Sequence, residues 1–188
     1  MNSARRPAPA LLLALLVSGA SGAAELGAGY EVTLAGKDGS ETVIGSIDFS
    51  AADDGYSYRL SFDDAVFTDE FLSMRPFKCL NSPDMKVCHL VYPYEKGTRI
   101  SADNLMDLEY DLLFLFKTPT EYGINAWNGL YYKLGWTDAG LAGELQEVDL
   151  NVLAAPPDEG VTRPVTYPML HPASAEKHKY PRLTIEKR

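Results

Sequence analysis

The strongest constraint on how this chain can fold is a two-residue alternation of apolar and polar side chains that begins at Tyr30. It is cleanest over residues 56–63, where Tyr56, Tyr58, Leu60 and Phe62 share one parity and Ser57, Arg59, Ser61 and Asp63 the other. Successive side chains of a β-strand point to opposite faces, so such a segment buries one face and wets the other. Tyr30, Val32 and Leu34 repeat the pattern, as do Val43, Ile47 and Phe49 against Ser46, Asp48 and Ser50. Between these runs, Gly36-Lys37-Asp38-Gly39 and Asp53-Asp54-Gly55 carry the residues that tight turns require. Three strands joined by short turns make an antiparallel meander.

Downstream the periodicity is less uniform. Residues 64–74 place Phe67, Phe71 and Met74 on one helical face behind an Asp, yet their flanks favour strand, so irregular chain leading into a strand is expected. Residues 71–79 and 87–94 read as the arms of a hairpin with residues 81–84 at its tip, which sets Cys79 opposite Cys88. Residues 105–117 carry Leu108, Tyr110, Leu112, Phe114 and Phe116 on one parity and Asp107, Glu109 and Asp111 on the other. Leu113 and Leu115 interrupt the polar row, which predicts a strand covered on both faces in its second half. Leu130, Tyr132, Leu134 and Trp136 mark another strand, and residues 141–153 the last.

About eight strands at this spacing predict an all-β domain over residues 25–153. In plan it resembles the antiparallel up-and-down barrels of the lipocalin or calycin type; a sandwich is the alternative. An outer-membrane barrel would show the same alternation, but several strands fall short of the roughly 9 to 11 residues needed to span. Pro156, Pro157, Pro164, Pro168, Pro172 and Pro181 cannot donate to a ladder, so residues 154–188 are expected to be an extended or disordered tail.

Residues 1–24 combine Arg5-Arg6, an apolar run from Leu11 to Val17 and a small-residue stretch ending at Ala24. These are the three parts of a secretory signal peptide, which predicts a secreted or periplasmic product with the leader removed. Nothing downstream is apolar over the roughly 20 residues a transmembrane helix needs. In an oxidising compartment Cys79 and Cys88 are expected to form a disulfide; a metal pair would need partners at ligand spacing, and only His89 lies near. The full sequence carries a formal charge of −9, and loss of Arg5 and Arg6 makes it more negative. That charge argues against nucleic acid and anionic lipid as partners.

Catalytic patterns are sparse. No nucleophile elbow, phosphate loop, metalloprotease pair or cofactor fingerprint occurs, so neither cofactor nor metal is expected. His89 is the one histidine of the body, while His171 and His178 fall in the proline-rich tail. The acids Asp53-Asp54, Asp63-Asp64, Asp69-Glu70 and the row Asp107, Glu109, Asp111 would suit glycoside hydrolysis or a cation if two or more converged. The simpler expectation is a solvated strand face, with Lys133 as a basic cross-strand partner for the row. The loop over residues 121–129 combines Tyr122, Asn125 and Trp127 with two glycines, the mixture that recognition surfaces favour, although a Trp can equally plug a core. Tyr92 and Tyr94 are candidates for the same surface. The expected function is an exported soluble binding module, presenting this aromatic loop and an internal cavity to a small apolar or aromatic ligand or to an exported protein. The alternatives are an envelope accessory protein acting through its tail and a carboxylate-based glycoside hydrolase.

Overall fold

The computed structural model describes residues 26–72 and 75–188; the expected leader at residues 1–24 and the position of Met74 lie outside the described residues. Its strands are β1 (Tyr30–Ala35), β2 (Glu41–Ala52), β3 (Gly55–Phe62), β4 (Thr68–Leu72), β5 (Arg75–Asn81) and β6 (Lys86–His89). They continue with β7 (Arg99–Ile100), β8 (Phe114–Lys117), β9 (Gly129–Thr137), β10 (Gly140–Val148), β11 (His171–Pro172) and β12 (Arg182–Lys187). One short helix, α1 (Met106–Asp111), lies between β7 and β8. All pairings are antiparallel within one sheet of order β4-β5-β6-β8-β9-β10-β12-β1-β2-β3-β7, with β11 beside β10. The two ends of this order do not pair, so the sheet is not closed.

The meander β1-β2-β3 forms as its alternation predicts. At Gly55, where φ is +116°, an added Cβ would stand 2.1 Å from the Ile100 carbonyl oxygen, so only glycine fits the turn against β7. One detail differs. A register shift between Val32 and Thr33 turns Ile44 into the core and leaves Val43 38% exposed. An extra residue in one strand of a pair exchanges the faces of what precedes it.

The expected hairpin is present with its disulfide: Cys79 and Cys88 are register partners of β5 and β6 and are bonded. The arm expected over residues 71–79 is two strands, with β4 ending and β5 beginning at the paired residues Leu72 and Arg75.

The strand expected over residues 105–117 is a correction. Its first half is α1, and only Phe114–Lys117 enters the sheet. Leu105, Leu108 and Leu112 recur at helical spacing and are buried in the main core, and α1 packs beside β7 and β9. Over so short a run the apolar positions satisfy both periods, and the interior decides between them.

The two-sided burial expected around Leu113 and Leu115 is larger than the alternation implies. Leu80, Val87, Phe114, Leu130, Tyr132 and Leu134 face the main core, while Cys79, Cys88, Leu115 and Tyr131 from the same strands face a second one. Leu150, Leu153 and Val165 cover that second face.

The tail is likewise not free of the sheet. Residues 182–187 form β12, paired along its length with β1 and over most of it with β10, and Leu183 and Ile185 are fully buried. The prolines all precede this strand, with Pro172 in the short β11 beside β10, and the proline-free end resumes the alternation. Among the described residues, no helix is long and apolar enough to cross a membrane.

Candidate functional site

β3 supplies one wall of a cleft at the unclosed end of the sheet. Its inward residues Tyr58, Leu60 and Phe62 face the chain that leaves β6, His89 to Tyr92, across a cavity of about 320 Å³ that Thr98 and Asp111 also line. A second lobe of about 450 Å³ opens where residues 89–91 diverge from β5, between Pro76, Phe77 and Lys78 on one side and Leu90 on the other. His89 and Val91 line both lobes, and Val91 is 70% exposed.

The polar end of the first lobe is a closed hydrogen-bond set. The Tyr58 hydroxyl donates to Asp111 Oδ2 at 2.7 Å, and Lys96 Nζ donates to the same oxygen at 2.7 Å and to Tyr58 Oη at 3.2 Å. Burial, then the Asp111 charge, pushes the Tyr58 phenol far above its ordinary range, so it stays a neutral donor. His89 Nε2 lies 2.9 Å from the Asp111 carbonyl oxygen. A carbonyl only accepts, so Nε2 carries the proton and Nδ1 keeps its lone pair. The ring sits 4.4 Å from Phe62 and 5.5 Å from Phe114, and burial holds its pKa below the usual histidine value. Near neutral pH the lobe therefore presents an uncharged imidazole and phenol beside an internally paired lysine and aspartate.

The acids expected to share one strand face diverge instead. The helical turn sends Asp107 to the Arg99 amide (3.2 Å) and the Arg163 guanidinium (3.5 Å), while Asp111 goes to Tyr58 and Lys96. Glu109 is fully buried: Tyr131 and Tyr167 donate to Oε2 at 2.5 and 3.1 Å, and the Leu134 amide donates to Oε1 at 2.8 Å. Burial outweighs these donors and raises the Glu109 pKa. Lys133, the expected partner of the row, lies 4.9 Å over the Tyr167 ring. No three His, Cys, Asp or Glu side chains converge at metal-holding distance among the described residues.

The aromatic loop is at the surface. Tyr122 is fully exposed and Trp127 is 67% exposed, so Trp127 does not plug the core. Asn125 is spent on the loop itself, its Oδ1 accepting from the Trp127 amide at 3.0 Å. The Tyr92 and Tyr94 hydroxyls donate to Thr162 and Leu153 carbonyls at 2.7 and 3.0 Å and their rings meet edge to face, while Tyr92 also lines the first lobe. The loop and the Tyr92–Tyr94 segment do share one feature, a groove of about 170 Å³ bounded by Pro93, Ile124, Ala126 and Leu153. It adjoins the second lobe through Phe77 and Leu90.

Tyr58, Lys96 and Asp111 carry the polar end of the cleft and were not singled out as a group by the alternation. One signal for Tyr58 was present: a tyrosine on the inner parity of a strand needs a partner for its hydroxyl. His178, expected on an unscaffolded tail, is buried against Phe116 with Nε2 2.8 Å from Glu147. Comparison with known proteins returns no match: no family model fits the chain, and neither curated proteins nor solved structures yield a similar one.

Proposed function

We propose that this chain is an exported binding module, secreted or periplasmic, whose ligand seats in the two-lobed cleft beside β3. The observation that carries the reading is the sharing of His89 and Val91 by two adjoining lobes, one ending in the Tyr58–Lys96–Asp111 set and the other walled by Phe77 and Leu90. An apolar concavity with a few converging polar groups is what ligand sites generally offer. The leader at residues 1–24 and the Cys79–Cys88 disulfide support export. The groove beside the aromatic loop extends the same surface, with Tyr122 and Trp127 as further contacts.

Titration with the amphipathic dye 1-anilinonaphthalene-8-sulfonate tests the site. Val91→Trp places a large ring across both lobes at an exposed position, and it is expected to weaken dye binding about tenfold, roughly 1.4 kcal/mol, with the thermal midpoint unchanged. A Val91→Trp protein that binds as before, while Tyr122→Ala or Trp127→Ala abolishes binding, would move the site to the loop and overturn the cleft.

A further inference from the structure

Hydrogen-bond parity along β3 singles out an unpaired stretch of backbone in the wall of the cleft. The Tyr58 amide donates to the Thr98 carbonyl at 3.2 Å, away from β2, and the Asp63 amide donates to the Ile44 carbonyl at 2.9 Å, toward it. In an antiparallel ladder this direction alternates residue by residue, so Arg59 and Ser61 point their backbone groups at β2, and Leu60 and Phe62 point theirs outward. β7 pairs only with Tyr56 and Ser57. Among the described residues, the N–H and C=O of Leu60 and Phe62 therefore have no partner strand, and both residues line the first lobe. A row of free donors and acceptors on a sheet edge is a template for one more strand.

Sheet edges are normally blunted by charges, lysine, proline or bulges. The opposite edge, β4, is treated this way: Asp69 is held by Lys78 at 2.9 Å and Glu70 is paired with Lys86. Over residues 59–62 of β3 no proline or lysine intervenes, and the pairing with β2 is in continuous register.

We propose that the free edge of β3 at Leu60 and Phe62 takes up an extended segment of another exported protein as an added strand. This rests on the binding-module reading and names its ligand class. Side chains of the incoming strand alternate between two environments. Those turned inward meet Leu60, Phe62 and Val91 and are apolar. Those turned outward lie beside Arg59, an exposed guanidinium with no ion-pair partner among the described residues, and are acidic.

The test uses the mature full-length protein and a fluorescein-labelled peptide of about six residues, the usual strand length, alternating valine and glutamate. Two controls replace glutamate by lysine or every second residue by proline. Saturable anisotropy is expected for the valine–glutamate peptide alone, with amide exchange of Leu60 and Phe62 slowed at least about tenfold in the complex. Leu60→Pro removes an outward N–H that β2 does not use, a position where an edge strand tolerates proline, and is expected to cost about tenfold or more in affinity. Arg59→Glu, at an exposed position, is expected to transfer the preference to the valine–lysine peptide, which keeps the test decisive if Leu60→Pro fails to fold. Absence of peptide binding at millimolar concentration, with dye binding intact and sensitive to Val91→Trp, would overturn the strand and leave the cleft. Loss of both would overturn both. Exchange protection on β4 instead, or concentration-dependent protection of Leu60 and Phe62 without peptide, would equally overturn the proposal, the latter by making the occupant a second copy of this chain.

Discussion

β3 and β9 are strands of similar length written in similar residues, yet they live in different surroundings. β3 buries Tyr58 on its inner face and leaves Arg59 and Ser61 in water, with part of its outer edge unpaired. β9 buries Leu130, Tyr131 and Tyr132 in succession, two of them in the main core and Tyr131 in the second core beneath residues 150–165. Local sequence makes both strands; what lies on the second face separates them. Where only one face is covered, the edge stays open and a cleft forms. Where the tail returns over the outer face, polar groups must be satisfied inside, and Glu109 with its tyrosine donors is the result.

Removing β12 disturbs both regions most, because that strand joins them. Truncation after Pro181 leaves β1 and β10 without their shared neighbour and takes Leu183 and Ile185 from the core. At about 2 to 3 kcal/mol per buried aliphatic side chain, before the lost ladder is counted, this approaches the whole stability of a typical domain. The truncated chain is expected to lose its cooperative thermal transition; a retained transition would show that the meander stands alone.

Next in size is Glu109, the polar element of the two-sided region. Glu109→Leu leaves the Leu134 amide and the Tyr131 hydroxyl without acceptors and is expected to cost on the order of 3 kcal/mol in urea unfolding. Glu109→Gln keeps an acceptor and is expected to cost far less. It also isolates a pH effect. With the folded pKa raised above the ordinary value of 4.5, the folded state holds a proton that the unfolded state has released, so stability falls as pH rises through that window. Glu109→Gln is expected to remove this decline. His89 acts with the opposite sign: its folded pKa lies below 6.5, so the unfolded state protonates first and stability falls as pH drops below 6.5. A stability difference between wild type and Glu109→Gln that does not fall on raising pH from 4.5 would contradict the assignment of Glu109.

The smallest effect belongs to the wet face of β3. Ser61→Ala, outward and exposed, is expected to change stability by less than about 0.5 kcal/mol in the same urea series. A loss comparable to that of Glu109→Leu would mean that β3 is covered on both faces as β9 is.

Tyr56, Tyr58, Leu60 and Phe62 were legible as a strand because one wet face keeps the alternation clean. Asp107, Glu109 and Asp111 were not legible as three separate contacts, since a run this short fits period 2 and period 3.6 alike and their partners lie as far along the chain as Arg163 and Tyr167. The prolines of residues 154–181 imply a tail off the ladder, yet Pro172 lies in β11 beside β10 and the alternation of Leu183 and Ile185 beyond them builds β12. The composition of residues 121–129 fits either an exposed surface or a core plug for Trp127, and only the fold shows Tyr122 and Trp127 exposed and the Tyr92 and Tyr94 hydroxyls held by the Thr162 and Leu153 carbonyls.

Alternation, turn chemistry and short cysteine spacing act between near neighbours, and so the all-β class, the antiparallel meander and the pairing of Cys79 with Cys88 follow from local pattern. That residues 182–187 become an interior strand, that the acids of α1 part company and that β3 keeps a free edge beside a cleft follow from the assembled fold. Those outcomes depend on which distant segment covers a face or pairs with an edge, and such coverage is a property of the assembled sheet rather than of any local pattern.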